Sequence, residues 1–207
     1  MYRSLQYQQV KILAREVRAE FGLTTPRVLR SDLRRIYQKH GIKIDLWPPQ
    51  AGGPCKLRNI RGAYFNDEFG PCVMLDRRLP EDPRVFTMAH ELKHHLLDKD
   101  WSVSYCGTDN EKTVGEISAE VFAAELIYPE GDFARDLEQR GIVLGQCKAI
   151  DIVHLKHDVQ TTLSYTGLAK RAVFLNFTPM GIFDKVQWKK LEEQVYGVPF
   201  YKRRLQR

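Results

Sequence analysis

Five consecutive residues carry the densest chemistry in the chain: His90-Glu91-Leu92-Lys93-His94. On a helix, positions i and i+4 share a face, so His90 and His94 can grip one metal ion from the same side. Glu91 projects about a quarter turn away, where it can act as general base on a metal-bound water and later pass the proton to the leaving amine. This is the metalloprotease spacing. With 6 His and 13 Glu among 207 residues, the pattern arises by chance in roughly one such chain per hundred. Its setting therefore matters. Asp82 as N-cap and Pro83 as first helical residue predict a helix running to about Leu97, with Phe86, Met88, Leu96 and Leu97 flanking the motif.

A zinc site needs a third protein ligand and an open position. Glu116 and Glu120 follow on the next predicted helix, four residues apart and so on one face. Ala119, Phe122, Ala123 and Leu126 make its apolar side, and the small alanines let two helices approach closely. One glutamate can ligate while the other hydrogen-bonds a ligand histidine.

The stretches Phe86-Thr87-Met88-Ala89-His90-Glu91-Leu92-Lys93-His94-His95-Leu96-Leu97 and Glu116 to Pro129 together resemble the ImmA/IrrE family of bacterial and phage metallopeptidases. The resemblance covers residues 5 to about 180. It implies a zincin-like (gluzincin) fold with the metal held by His90, His94 and Glu116, Glu91 as catalytic base and Glu120 behind the ligands. Position 120, often Asn or Asp in the family, is Glu here, so ligand and supporting carboxylate could be exchanged. Lys93 stands where the family usually has Gly. It points away from the metal face and is expected to alter the substrate cleft without abolishing activity. The resemblance also implies the substrate class, a helix-turn-helix transcriptional repressor whose cleavage relieves repression. Zinc is the expected ion for two His and one Glu, with manganese or iron as replacements.

The elements that must position these residues read as α+β. Residues 4–21 form an amphipathic helix, and a second begins at Ser31 as N-cap and ends before Gly41. Residues 42–47 alternate as a half-buried strand, and 60–65 and 72–75 form a hairpin across Asn66–Gly70. Pro48, Pro49 and the Gly52-Gly53-Pro54 run mark a loop between them. After the two middle helices (to Leu97, and 113–128), shorter ones follow near 130–140, 146–157, 161–174 and 184–196. The expected architecture is a small antiparallel or mixed sheet packed on the active-site helix, then a helix-turn-helix-like segment. The expected divisions are 1–133 for the peptidase domain, 134–180 for the helical segment, and 181–207 for a last helix and basic tail.

Residues 146–174 resemble a helix-turn-helix, with Thr161 capping its second helix. That helix bears Lys170 and Arg171 only near its end, so packing or repressor docking is preferred over DNA contact. Tyr64, Tyr105, Tyr128, Tyr165, His154 and His157 are open candidates for stabilising the oxyanion.

The net charge of +6 is unevenly placed. Residues 1–45 hold ten Lys/Arg against four Asp/Glu, residues 46–183 hold 15 against 19, and residues 184–207 hold seven against three. A uniformly basic, DNA-coating protein would not show an acidic middle. The terminal excess reads as solvated helix faces and a basic tail, Val198–Arg207, which holds both aromatic and basic residues. The four cysteines (Cys55, Cys72, Cys106, Cys147) contain no C-x-x-C pair and, with no secretory signal evident, read as free thiols in the cytoplasm. No apolar window is long enough to span a membrane.

The expected function is zinc-dependent endopeptidase action on a repressor. One rival is a non-catalytic regulator that binds repressor or DNA and keeps the metal motif structurally, which a fourth protein ligand would favour. Another is a DNA-binding factor with an accessory metal site.

Overall fold

A computed structural model describes residues 2–47, 60–98, 103–106 and 114–199. The loop at Pro48, Pro49 and Gly52–Pro54, Cys55, the start of the second middle helix at 113, and the tail from Phe200 onward lie outside them. Among the described residues, eight helices and four strands follow one another: α1 (Tyr2–Phe21), α2 (Arg30–Lys39), β1 (Lys43–Trp47), β2 (Gly62–Asp67), β3 (Gly70–Asp76), α3 (Glu81–Leu97), β4 (Val103–Cys106), α4 (Val114–Ile127), α5 (Glu130–Gln139), α6 (Ala149–Val159), α7 (Tyr165–Phe174) and α8 (Trp188–Tyr196). The protein is thus a mixed α+β chain. None of the described helices is long and apolar enough to cross a membrane.

The strands form one mixed sheet in the order β1-β3-β2-β4. β1 runs parallel to β3, while β2 is antiparallel to both β3 and β4. The hairpin is tighter than the sequence suggests. Asp67 pairs with Gly70, leaving Glu68 and Phe69 as a two-residue loop. The Asp67 carboxylate accepts from Phe69 N at 2.9 Å, and Gly70 adopts φ +89°, which a side chain would resist. β4 was not anticipated: four residues give too short a run for period-2 alternation to register. β1 is more exposed than its alternation implied, with Leu46 43% accessible, because it is an edge strand. In the central strands Ala63, Tyr64, Val73 and Leu75 are buried.

Helix starts also shift. Pro80 occupies the N-cap of α3, placing Glu81 and Asp82 in its first turn, where their charge favours the helix dipole. Leu29 is the N-cap of α2, and the Asp32 carboxylate, not Ser31, accepts from its N–H at 2.9 Å. The cap of α7 is Ser164, whose hydroxyl accepts from Gly167 N. Thr161 lies three residues earlier and accepts from Leu163 N.

The chain divides into two compact units, Met1–Pro129 with Thr161–Leu163, and Glu130–Gln160 with Ser164–Arg207. In the first, α4 packs on α1 and α3, and α3 packs on α2 and the sheet. Arg18 of α1 is buried and donates to the C-terminal carbonyls of α4, Leu126 O at 2.7 Å and Ile127 O at 3.1 Å. Such carbonyls have no intrahelical partner, and a cation there satisfies them and the helix dipole together. Arg15 adds a 2.8 Å bond to the buried Glu125. The second unit contains α5 to α8, with Ile152, Val153, Leu155, Leu168 and Ala172 buried where α6 meets α7.

α3 docks on β2 through matched spacings. Gly62 lies against Thr87 and Glu91, and the Tyr64 hydroxyl meets His95 Nδ1 at 3.1 Å. Four helical residues rise about 6 Å and two strand residues about 6.6 Å, so consecutive same-face positions stay aligned. A Cβ on Gly62 would fall 2.4 Å from Thr87 Cγ2 and 2.9 Å from Glu91 Oε1. Thr87 is held in place by donating from Oγ1 to Pro83 O at 2.9 Å. The variant Gly62→Ala should therefore lose about 1–3 kcal/mol of stability through overpacking, read by urea denaturation. Unchanged stability would mean that the helix and strand can separate at no cost.

Candidate active site

α3 is buried on almost every side. Val85, Met88, Ala89 and Leu92 are buried as apolar residues, and Thr87, His90, Glu91, Lys93, His94 and His95 as polar ones. Two adjacent i, i+4 stripes organise the polar set. Thr87, Glu91 and His95 face β2, while His90, His94 and Asp98 form the neighbouring ladder.

On that ladder His90 Nε2 and His94 Nε2 approach to 3.3 Å. Glu116, in the first turn of α4 and also buried, closes the group. Its Oε2 lies 3.1 Å from His90 Nε2 and its Oε1 3.4 Å from His94 Nε2. The ligand atoms of these three residues all fall within 4.8 Å of one another. Two nitrogens on a tetrahedral ion with bonds of roughly 2.0–2.1 Å would be about 3.3 Å apart, the separation found here. His94 donates from Nδ1 to Asp98 Oδ2 at 2.7 Å, which leaves Nε2 facing the Glu116 carboxylate at 3.4 Å. The donor set fits a divalent cation. Among the described residues the group has three members. Burial, opposed by the hydrogen bond to Glu116, holds the His90 imidazole below its ordinary value. This favours the unprotonated form that coordination requires.

Glu91 is fully buried, and neither carboxylate oxygen has a hydrogen-bond partner. Burial, and secondarily the charge of Glu116, hold its carboxyl well above the usual range. An orphaned buried carboxylate is rare where structure alone is at stake. Tyr37 closes the other side of α3, donating from its hydroxyl to Met88 O at 2.7 Å. Burial, and then the charge of Glu91, hold its phenol well above its usual value.

The structure brings His90, His94 and Glu116 together and places Glu91 beside them. Glu120 is half-buried one turn along α4 and outside the three-residue group, though its charge is felt at His90. Sequence reasoning missed Asp98, whose carboxylate supports His94. The signal was present, since Asp98 follows His94 at the same four-residue interval that links the two histidines. Burial raises the Asp98 carboxyl, but hydrogen bonds from His94 and Lys93 outweigh it and bring it below its ordinary value. Lys93 is buried rather than lining a cleft. Of the oxyanion candidates, Tyr64 is engaged with His95, and Tyr128 is buried. The Tyr105 side chain lies outside the described residues. His154, His157 and Tyr165 belong to the second unit, where His154 bonds the Tyr196 hydroxyl at 2.8 Å and His157 stacks on its ring. Cys72 and Cys147 are free thiols; the side chain of Cys106 lies outside the description.

Residues 53–157, just over half of the 207, match the peptidase family described as the IrrE N-terminal-like domain. The chain belongs to this family. The match spans β2 through α5 and most of α6, and so contains His90, Glu91, His94, Asp98, Glu116 and Glu120. As a member of the IrrE-like family the chain is of metallopeptidase type, and its buried His90–His94–Glu116 group is compatible with a metal. No curated protein matches it.

The buried carboxyl yields a test that needs no substrate. Its folded value lies above its unfolded one, so the stability linked to this group is present below about pH 4.5 and lost as pH rises through the raised value. Metal-free Glu91→Gln should be more stable than wild type at neutral pH by about 1–3 kcal/mol, with the gap closing near pH 4. Urea melts at the two pH values measure this; a gap independent of pH would show that the carboxyl is not desolvated.

Proposed function

We propose that this protein is a cytoplasmic, zinc-dependent endopeptidase that cuts a helix-turn-helix transcriptional repressor and so relieves repression. The observation that carries the enzymatic part is the pairing of a converging His90–His94–Glu116 set with an unpartnered, buried Glu91 beside it. A bound divalent ion would supply Lewis-acid polarisation. His90, His94 and Glu116 would hold it, Asp98 would fix the ring orientation and tautomer of His94, and Glu120 would add negative charge felt at His90. Glu91 takes the proton of the attacking water on a carboxylate oxygen and later returns it to the leaving amine. Burial, which raises the proton affinity of its carboxyl, suits a group that must hold the proton between those two steps. Manganese or iron is compatible with the same donors.

The active-site helix lying along a small mixed sheet supports a zincin-like reading of the fold. The substrate class rests on the resemblance to the ImmA/IrrE family. α6 and α7 are read as a helix-turn-helix-like element for packing or docking the repressor. Of its second helix's basic pair, Lys170 is exposed and Arg171 is buried, which supports docking over DNA contact. Three ligand residues rather than four among those described favour catalysis over a purely structural metal.

Purified protein mixed with a small helix-turn-helix repressor encoded beside it should cleave that repressor at one site. Cleavage should stop on chelation and return with Zn²⁺. Glu91→Gln should bind the ion but cut at least about 10²-fold more slowly. A Glu91→Gln protein that cuts at the wild-type rate would falsify the mechanism. A second expected outcome concerns the ligand itself: Glu116→Gln should bind Zn²⁺ at least about tenfold more weakly, read by competition with a chromophoric chelator. Equal affinity would move the ligand role to Glu120.

A further inference from the structure

Lys93 takes no part in the proposed chemistry, yet its side chain is 3% exposed. A buried ammonium is costly unless paired and hydrogen-bonded. Its Nζ donates to Asp98 Oδ2 at 2.6 Å and to Gly115 O at 3.1 Å. The first acceptor is the same oxygen that receives the His94 Nδ1–H at 2.7 Å. The second is the carbonyl of the residue preceding Glu116. Asp98 is the C-cap of α3, its N–H bonded to His94 O at 2.9 Å, and Gly115 lies in the first turn of α4, where its carbonyl also accepts from Ser118 Oγ at 2.7 Å. One ammonium thus joins the carboxylate behind one histidine to the backbone beside the glutamate, across two helices.

We propose that Lys93 is a positioning residue, which locks the end of α3 to the start of α4 so that His94 and Glu116 converge on one point before any ion arrives. The proposal rests on reading His90, His94 and Glu116 as metal ligands. Two effects of removing the ammonium oppose each other, and this makes the idea decidable. A positive charge near a cation site repels the cation, so charge removal alone tightens metal binding. Loss of register weakens it.

The full-length wild type, Lys93→Met and Lys93→Arg are compared by Zn²⁺ competition against a chromophoric chelator and by amide hydrogen exchange of the metal-free proteins. Lys93→Met should bind Zn²⁺ about 10- to 100-fold more weakly, despite having one positive charge fewer. It should also exchange faster at Ser118–Phe122, with the strands β2 and β3 unaffected. Lys93→Arg, which keeps donors and charge, should recover most of the affinity. The proposal is overturned by Lys93→Met binding as tightly as wild type or tighter, by unchanged exchange in α4, or by no recovery in Lys93→Arg. If Lys93→Met does not fold, Asp98→Asn takes its place and should raise exchange in α4, an element to which Asp98 itself makes no hydrogen bond. A wild type without Zn²⁺ affinity would sink the metal reading, while the exchange comparison would still decide the role of Lys93.

Discussion

Two imidazoles and a carboxylate drawn to within 3.1–3.4 Å of one another impose a demand that the first unit of the chain has to meet. Groups that hydrogen-bond water readily must be held together away from it, on two separate helices, within tenths of an ångström. α4 meets the demand by presenting Ala119 and Ala123, both fully buried, so that little side-chain volume separates it from its neighbours. α1 then fixes α4 from the far end, where the Arg18 guanidinium takes its last carbonyls. The two ends of α4 are therefore anchored by different physics. A cation neutralises the dipole at one end, and at the other a glutamate is directed at the histidines.

α3 solves the complementary problem. A helix with almost no solvent-facing side must find a partner for every polar residue it carries. His94 has Asp98, His95 has Tyr64, and Lys93 has Asp98 and Gly115. Glu91 stands apart, with both oxygens unsatisfied. His90 Nδ1 and Arg84 Nε also lack partners on this helix, but Glu91 is the residue with a whole carboxylate left unsatisfied, beside the His90–His94–Glu116 group.

The grouping of His90, His94 and Glu116 was legible in the sequence because i, i+4 geometry is local. His90 and His94 could be put on one face without knowing the fold, and Glu116 became credible once its helix carried small residues on the same side. The contacts that tune the site were less legible. Asp98 sat at a readable interval but looked like a helix-ending residue. The direction of Lys93 could be derived from the helix, yet nothing local said that the first turn of α4 would lie across from it. Helix caps were misplaced by two or three residues at α2, α3 and α7; at α2 and α3 the N-cap residues, Leu29 and Pro80, make no side-chain cap bond, so no capping residue type marked the start. The pairing of β1 with β3, which makes the sheet mixed, depends on contacts nearly thirty residues apart, and no alternation pattern encodes a partner.

Gly62 bears on how the chain assembles. On the face of β2 toward α3, the next residue is Tyr64, and a two-residue slip of the strand would set its ring where Gly62 now leaves space for the Glu91 carboxylate. Such a slip keeps the inward and outward faces of the strand intact, so hydrophobic patterning alone would not reject it. The missing side chain does. The present alignment lets strand and helix close, so the notch that accommodates the buried Glu91 carboxylate also serves as a steric check against a slipped register.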